Sequence, residues 1–214
     1  MPLPSPLTIV PCGRFKNLMD FQMSTNCNLL KSHASSDHYN CFLSSLAQTA
    51  GFVHPEHVNS PGVLTAVQGW RQRQHAVLAP KLQQTAPPAG AARWDANLSF
   101  AEAESINQNN LFMQGAHVSC AADELQRTIL VLQPAGSSQA GKCGSGHLTA
   151  NLYPPGYVAP RLDLKRVAVM AALCEQLPPF VVYLSGGHFS PLLTRSQREA
   201  TVFPPRELMK LVRA

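Results

Sequence analysis

Two short stretches carry residue types suited to nucleophilic chemistry. In Asn40-Cys41-Phe42-Leu43 a thiol follows an amide, and in Gly187-His188-Phe189 an imidazole follows a glycine pair. A thiolate attacks carbonyl carbon, and a nearby imidazole can take the thiol proton and return it to a leaving amine. Cysteine alone is weak support, because free cysteine is among the residues most often buried for structural reasons. Other groupings carry less. His54 and His57, with Cys143 and His147, have the spacings H-x2-H and C-x3-H but no Cys-x2-Cys beside them, so they read as surface histidines and no metal site is expected. Trp70-Arg71-Gln72-Arg73-Gln74-His75 could contact phosphates, although such a run is more often the solvated side of a helix. Asp123 and Glu124 could serve as acids, but their place before an apolar run reads as an exposed helix end.

The elements that must position Cys41 and His188 are legible around them. After Asn40, the apolar residues Phe42, Leu43, Leu46, Ala47 and Ala50 share one helical face, with Cys41, Ser44, Ser45 and Gln48 on the other. This spacing predicts a short amphipathic helix, with Asn40 as its cap, Gly51 as its stop and the thiol on its polar side. A cysteine at the first helical position lies at the positive end of the macrodipole, which favours the thiolate. Phe180-Val181-Val182-Tyr183-Leu184-Ser185 and His188 to Leu193 are two strand-like runs separated by Gly186-Gly187. They predict a hairpin with a tight turn that puts His188 at the start of the returning strand. Pro191 predicts that this strand is an edge or a bulged one.

Elsewhere, Pro61 to about Leu78 predicts a helix with Leu64, Val67, Trp70 or Arg71, and Val77 to Leu78 on its apolar face. Further helices are expected from Ser99 to about Asn107, over 120–127 and over 164–177, where Val167-Ala168-Val169 could instead be strand, and strands over 128–132 and 148–153. Residues 85–92, rich in Pro and Ala, read as a surface connection, and 136–146 as a Gly/Ser loop.

The chain has 214 residues, a size one core can fill. Its 18 prolines imply many loops and few long helices. One domain over 37–200 is expected, preceded by a loosely structured arm over 1–36 and followed by a tail over 201–214. The net charge of +5 is scattered, so nucleic-acid binding is not indicated. There is no run of 18 apolar residues and no basic leader before an apolar stretch. Six widely spaced cysteines lack the density of a disulfide scaffold. These features lead us to expect a cytoplasmic chain with reduced thiols, no membrane span and an α+β fold.

The motifs resemble those of the OTU (ovarian tumour) cysteine proteases, most of which are deubiquitinases. Asn40-Cys41-Phe42-Leu43 followed by Ser45-Leu46-Ala47 is similar to the family's nucleophile motif, and Gly187-His188-Phe189 to its histidine motif. Gln114-Gly115 through Ala121-Ala122 into Ile129-Leu130-Val131 looks like the segment between them. The three segments cover about 45 positions in the family's order. Two positions depart from the pattern: His38-Tyr39 stands where the family usually has one glycine, and Ser190 where it often has Asn or Asp.

The resemblance implies an OTU-like, papain-related fold with a small central sheet flanked by helices, and no cofactor. It implies Cys41 as nucleophile, His188 as general base, and Asp37 or Ser190 as the orienting residue unless the pair acts as a dyad. Oxyanion donors would come from the Cys41 N–H and the Asp37 to Asn40 loop, and Asn40, Gly186, Gly187 and Ser190 would line the substrate channel. The implied substrates are ubiquitin or ubiquitin-like conjugates. A divergent member would be either a bacterial effector in the host-cell cytoplasm or a viral protease that also processes its own polyprotein. The alternative is a catalytically inactive ubiquitin- or protein-binding module with the same fold.

Overall fold

In the computed structural model, residues 29–35, 39–82, 113, 115–134, 148–153, 155 and 179–199 are described. The chain is α+β. Its elements are β1 (Leu29–Lys31), α1 (Cys41–Thr49), a single 3-10 turn (Pro55–His57), α2 (Pro61–Leu82), α3 (Gly115–Leu125), β2 (Ile129–Pro134), β3 (Leu148–Tyr153), β4 (Phe180–Ser185), β5 (His188–Thr194) and α4 (Arg195–Glu199). The four longer strands are those expected from the sequence, β2 starting one residue later and running two further. They form a mixed sheet, and β1 adds to its edge in the order β1-β5-β4-β2-β3. Strand β2 runs parallel to β4, and the other pairs are antiparallel.

Strand β1 lies in the segment read as a loosely structured arm. Three residues are too few to show a period, and pairing with Leu192, Leu193 and Thr194 is what makes them a strand. That pairing also corrects the reading of β5 as an edge strand, since β5 is flanked by β1 and β4. Pro191 is accommodated because β1 stops beside it. Ser32 N–H donates to the Pro191 carbonyl at 3.1 Å; the reciprocal bond would need an N–H that proline lacks, and the ladder ends there.

Helix α1 is closed at its C-terminal end by Gly51, at φ 77°. Gly51 N–H donates to the Gln48 carbonyl at 3.0 Å and Phe52 N–H to the Ala47 carbonyl at 2.8 Å. These two bonds make a Schellman motif and satisfy carbonyls the helix would leave open. The expected polar side of α1 is a correction: Cys41, Ser44, Ser45 and Gln48 are all buried, as is every residue of the helix. The helix is enclosed by β4, β5 and α2. Gln48 Nε2 donates to the His33 carbonyl at 3.0 Å, and Gln197 Nε2 of α4 donates to the Thr49 carbonyl at 3.0 Å.

The core gathers Phe42, Leu43, Leu46 and Ala47 of α1, Val67 and Trp70 of α2, Ala121 and Ala122 of α3, and Ile129, Val131, Val182 and Phe189 of the sheet. Helix α2 begins at Pro61, where proline's missing N–H costs nothing. Val77 is exposed rather than on its buried face, and Leu78 is buried. Helix α3 starts five residues before the expected Cys120 and ends before Gln126, which takes a positive φ of 48°.

The β4–β5 turn has Gly186 at φ 59° and Gly187 at φ 78°, the two positive angles that a type I′ hairpin requires. A Cβ at either position would meet nothing within 4 Å, so the demand for glycine is conformational, not one of space. Gly187→Ala should therefore destabilise the fold by about 1–2 kcal/mol through backbone strain alone, and Gly187→Asn by less. Urea denaturation of the two variants checks this order.

Candidate active site

Strand alternation fixes what faces Cys41. The Pro191 carbonyl points toward β1, so the Phe189 N–H, two residues earlier, points to the same side. Beyond the end of β1 no strand among the described residues receives it. The Cys41 sulfur does so, with Phe189 N 3.4 Å from Sγ across 148 positions of sequence. The rings of Phe42 and Phe189 pack with centroids 5.0 Å apart, pinning α1 to β5 one residue further along each chain. The sulfur thus lies against the peptide that joins His188 to Phe189. His188 is half-buried at the first position of β5, opposite Ser185. Ser190 is buried and alternates with Phe189 along the strand, as His188 does. Gly186 and Gly187 form the adjoining turn. Asp37 lies outside the described residues.

Cys41 is only 2% exposed. Tyr39, two residues upstream, is 46% exposed. Asn40, between them, corrects the expectation of a side-chain cap. It stands at the cap position with φ −105° and ψ 7°, near the bridge region, but its side chain makes no cap hydrogen bond. Asn40 Nδ2 instead donates to Gln68 Oε1 at 2.7 Å, and Arg71 Nη1 donates to Asn40 Oδ1 at 3.3 Å and to the Tyr39 carbonyl at 2.5 Å. The entry to the Cys41 helix is held by α2.

The run from Trp70 to His75 is likewise not the solvated side of its helix. Arg71 and Gln74 are buried with Trp70. Glu124 is the hub: its carboxylate accepts from Trp70 Nε1 at 2.6 Å, from Gln74 Nε2 at 3.0 Å, and from Arg73 Nη2 and Nε at 2.9 and 3.1 Å. Glu124 is therefore not at an exposed helix end, and neither Arg71 nor Arg73 is presented to a phosphate. Sequence reasoning passed over Gln68 and Arg71 as site residues. The signal was an arginine sharing a helical face with Val67 and Trp70, which only a bonded, buried role explains.

His54 accepts from the Glu56 N–H at 3.3 Å and starts the 3-10 turn, its ring 5.8 Å from that of His57. Cys143 and His147 lie outside the described residues. Among the described residues no cluster of three His, Cys, Asp or Glu side chains is placed to hold a metal, neither Cys41 nor Cys120 is in a disulfide, and no helix is long and apolar enough to cross a membrane. No protein-family model matches the chain, and no curated protein matches it.

His117, one turn before Cys120 on α3, is buried beside α2. Burial, followed by the charges of Arg71 and His75, lowers its pKa from 6.5 to about 3. Between those values the unfolded chain binds a proton at this residue that the folded chain does not. Stability should therefore fall as pH drops below about 6.5, with a slope approaching 1.4 kcal/mol per pH unit from this group. Denaturant titrations of the wild type and of His117→Gln check it: the variant should lack that component of the slope.

Proposed function

We propose that the chain is a cysteine protease that cleaves ubiquitin or ubiquitin-like conjugates, with an OTU-like fold. The observation that carries this reading is the 3.4 Å approach of the Phe189 N–H to the Cys41 sulfur, which brings the only cysteine at the start of a described helix beside the His188 segment. In the reaction, the Cys41 thiolate adds to the carbonyl carbon of a glycine-terminated amide. His188, having taken the thiol proton, gives it to the departing amine, leaving a thioester on Cys41. Water, deprotonated by His188, then hydrolyses the thioester and frees the carboxylate and the thiol. The Cys41 and Asn40 N–H groups are the candidate donors to the oxyanion, each worth about 3 kcal/mol of barrier when well placed. Asp37 or Ser190 would orient the imidazole, or the pair works as a dyad. The Gly186-Gly187 turn, exposed at Gly186, suits the passage of a narrow, glycine-rich tail. The protein's own polyprotein, in a viral setting, would be a second substrate.

The low exposure of Cys41 favours a second reading, a module that binds ubiquitin or another protein without cleaving it. A buried thiol needs some movement of its surroundings before a carbonyl can reach it. Ubiquitin bearing a thiol-reactive C-terminal group separates the two. The protease reading predicts labelling at Cys41, none in Cys41→Ala, and labelling slowed roughly 100-fold or more in His188→Ala. Intact ubiquitin affinity without labelling of the wild type supports the module instead.

A further inference from the structure

Three large apolar side chains are exposed among the described residues, Leu30, Tyr39 and Val77. A single apolar residue on a surface asks for no explanation by itself. Tyr39 differs from the other two in how it is held and where it stands. Its backbone is tied inward: the buried guanidinium of Arg71 donates to its carbonyl, and the next residue, Asn40, is buried with its side-chain amide bonded to Gln68 and Arg71. The residue nonetheless keeps 46% of its surface in solvent. A ring carried on a fixed backbone has only two side-chain torsions left to settle when a ligand covers it, so little conformational entropy opposes the contact.

Tyr39 lies two residues before Cys41, which puts the two Cα atoms within about 7 Å of each other. That is also the span of two extended substrate residues, counted from the carbonyl that the sulfur attacks. A glycine-ended tail has no side chain to offer over that span. It has flat peptide planes and methylene groups, and the face of an aromatic ring is a surface that packs against both. In the pattern that the Cys41 motif resembles, one glycine stands where His38-Tyr39 stands in this chain, so the ring is particular to this protein.

We propose that Tyr39 is a substrate-binding residue: its ring packs on the last residues of the glycine-ended tail, on the acyl side of the scissile bond. This rests on the proteolytic reading. The ring binds ground state and transition state alike, because it touches the tail and not the reacting atoms. The contact uses the face of the ring, so the hydroxyl is dispensable. It is made with the tail, so the folded body of the conjugate is dispensable too.

The test compares wild type, Tyr39→Phe, Tyr39→Ala and Val77→Ala in the full chain on two substrates with the same aminocoumarin leaving group, full-length ubiquitin and a short peptide ending in Gly-Gly. The rate at which iodoacetamide alkylates Cys41 is measured alongside, because it reports the thiol without any tail. Tyr39→Ala should raise KM roughly tenfold on ubiquitin and lower kcat/KM by about the same factor on the peptide, with kcat on ubiquitin and the alkylation rate within about threefold of wild type. Tyr39→Phe should stay within about threefold of wild type throughout. Val77 is as exposed as Tyr39 but stands six residues beyond Arg71 along α2, about 9 Å, and Val77→Ala should leave every rate unchanged. An unchanged KM in a folded Tyr39→Ala overturns the proposal. So does a loss confined to ubiquitin, which places the contact on the folded body, and so does a parallel fall of kcat, alkylation and melting temperature, which makes the ring structural. Faster alkylation in Tyr39→Ala without a rise in KM marks the ring as a cover over the sulfur and overturns it as well. Should Tyr39→Ala not fold, Tyr39→Leu decides: KM at least about threefold up at a melting temperature near wild type supports the proposal, and any other combination overturns it. A wild type that hydrolyses neither substrate sinks the protease reading and this proposal with it, a result distinct from an active wild type matched by Tyr39→Ala.

Discussion

A proline inside a sheet ends the hydrogen-bond ladder along one side of its strand, and in this chain the sulfur sits just past that end. Pro191 ends the pairing of β1 with β5. The Phe189 N–H just before it then faces an edge with no strand, where an unmet buried donor would cost about 1–3 kcal/mol. Cys41 meets it. The first turn of α1 is thereby tied to the first turn-and-strand of the hairpin, and the Phe42–Phe189 ring contact makes the tie rigid. A bland account and a catalytic one share this geometry. A thiol that accepts one backbone hydrogen bond is a stable structural feature, and a thiolate in the same place would accept it more strongly.

The other side of α1 depends on α2. A helix facing both water and core usually separates its polar and apolar residues, but α2 carries Arg71 and Gln74 into the interior beside Val67 and Trp70. Most of its buried polar groups have partners. Glu124 collects Trp70, Arg73 and Gln74, while Arg71 and Gln68 collect Tyr39 and Asn40. Helix α2 thus links α3 to the residues that lead into Cys41. Such bonds hold the segment before Cys41 in place more firmly than apolar packing alone, which tolerates sliding.

How much of this could be read from the residues depends on how local each feature is. The hairpin was legible because Gly186-Gly187 between two apolar runs has one common meaning, and the stop at Gly51 because the positive φ is a single-residue requirement. The start of α2 was legible through Pro61. Three other features depend on tertiary neighbours. Lys31 is a strand residue only because Leu192 pairs with it. The serines and Gln48 of α1 looked solvent-facing because helical spacing separates polar from apolar residues without saying whether a second layer covers the polar side. Asn40 looked like a cap because that is its local preference, and Gln68 and Arg71, 28 and 31 positions away, compete successfully for its side chain. The pairing of Cys41 with the His188 segment was expected from motif order, and Asp37, proposed with them, stands outside the described residues.

The central claim is that the side chain at position 188 meets the sulfur of Cys41, and cross-linking tests it without reference to any substrate. In His188→Cys, mild oxidation should yield a disulfide between the introduced thiol and Cys41, found by mass spectrometry as one linked peptide pair and dominant over pairs with the other five cysteines of the natural chain. An introduced thiol that stays reduced, or that links elsewhere while Cys41 remains unmodified, in a variant that is folded, would contradict it.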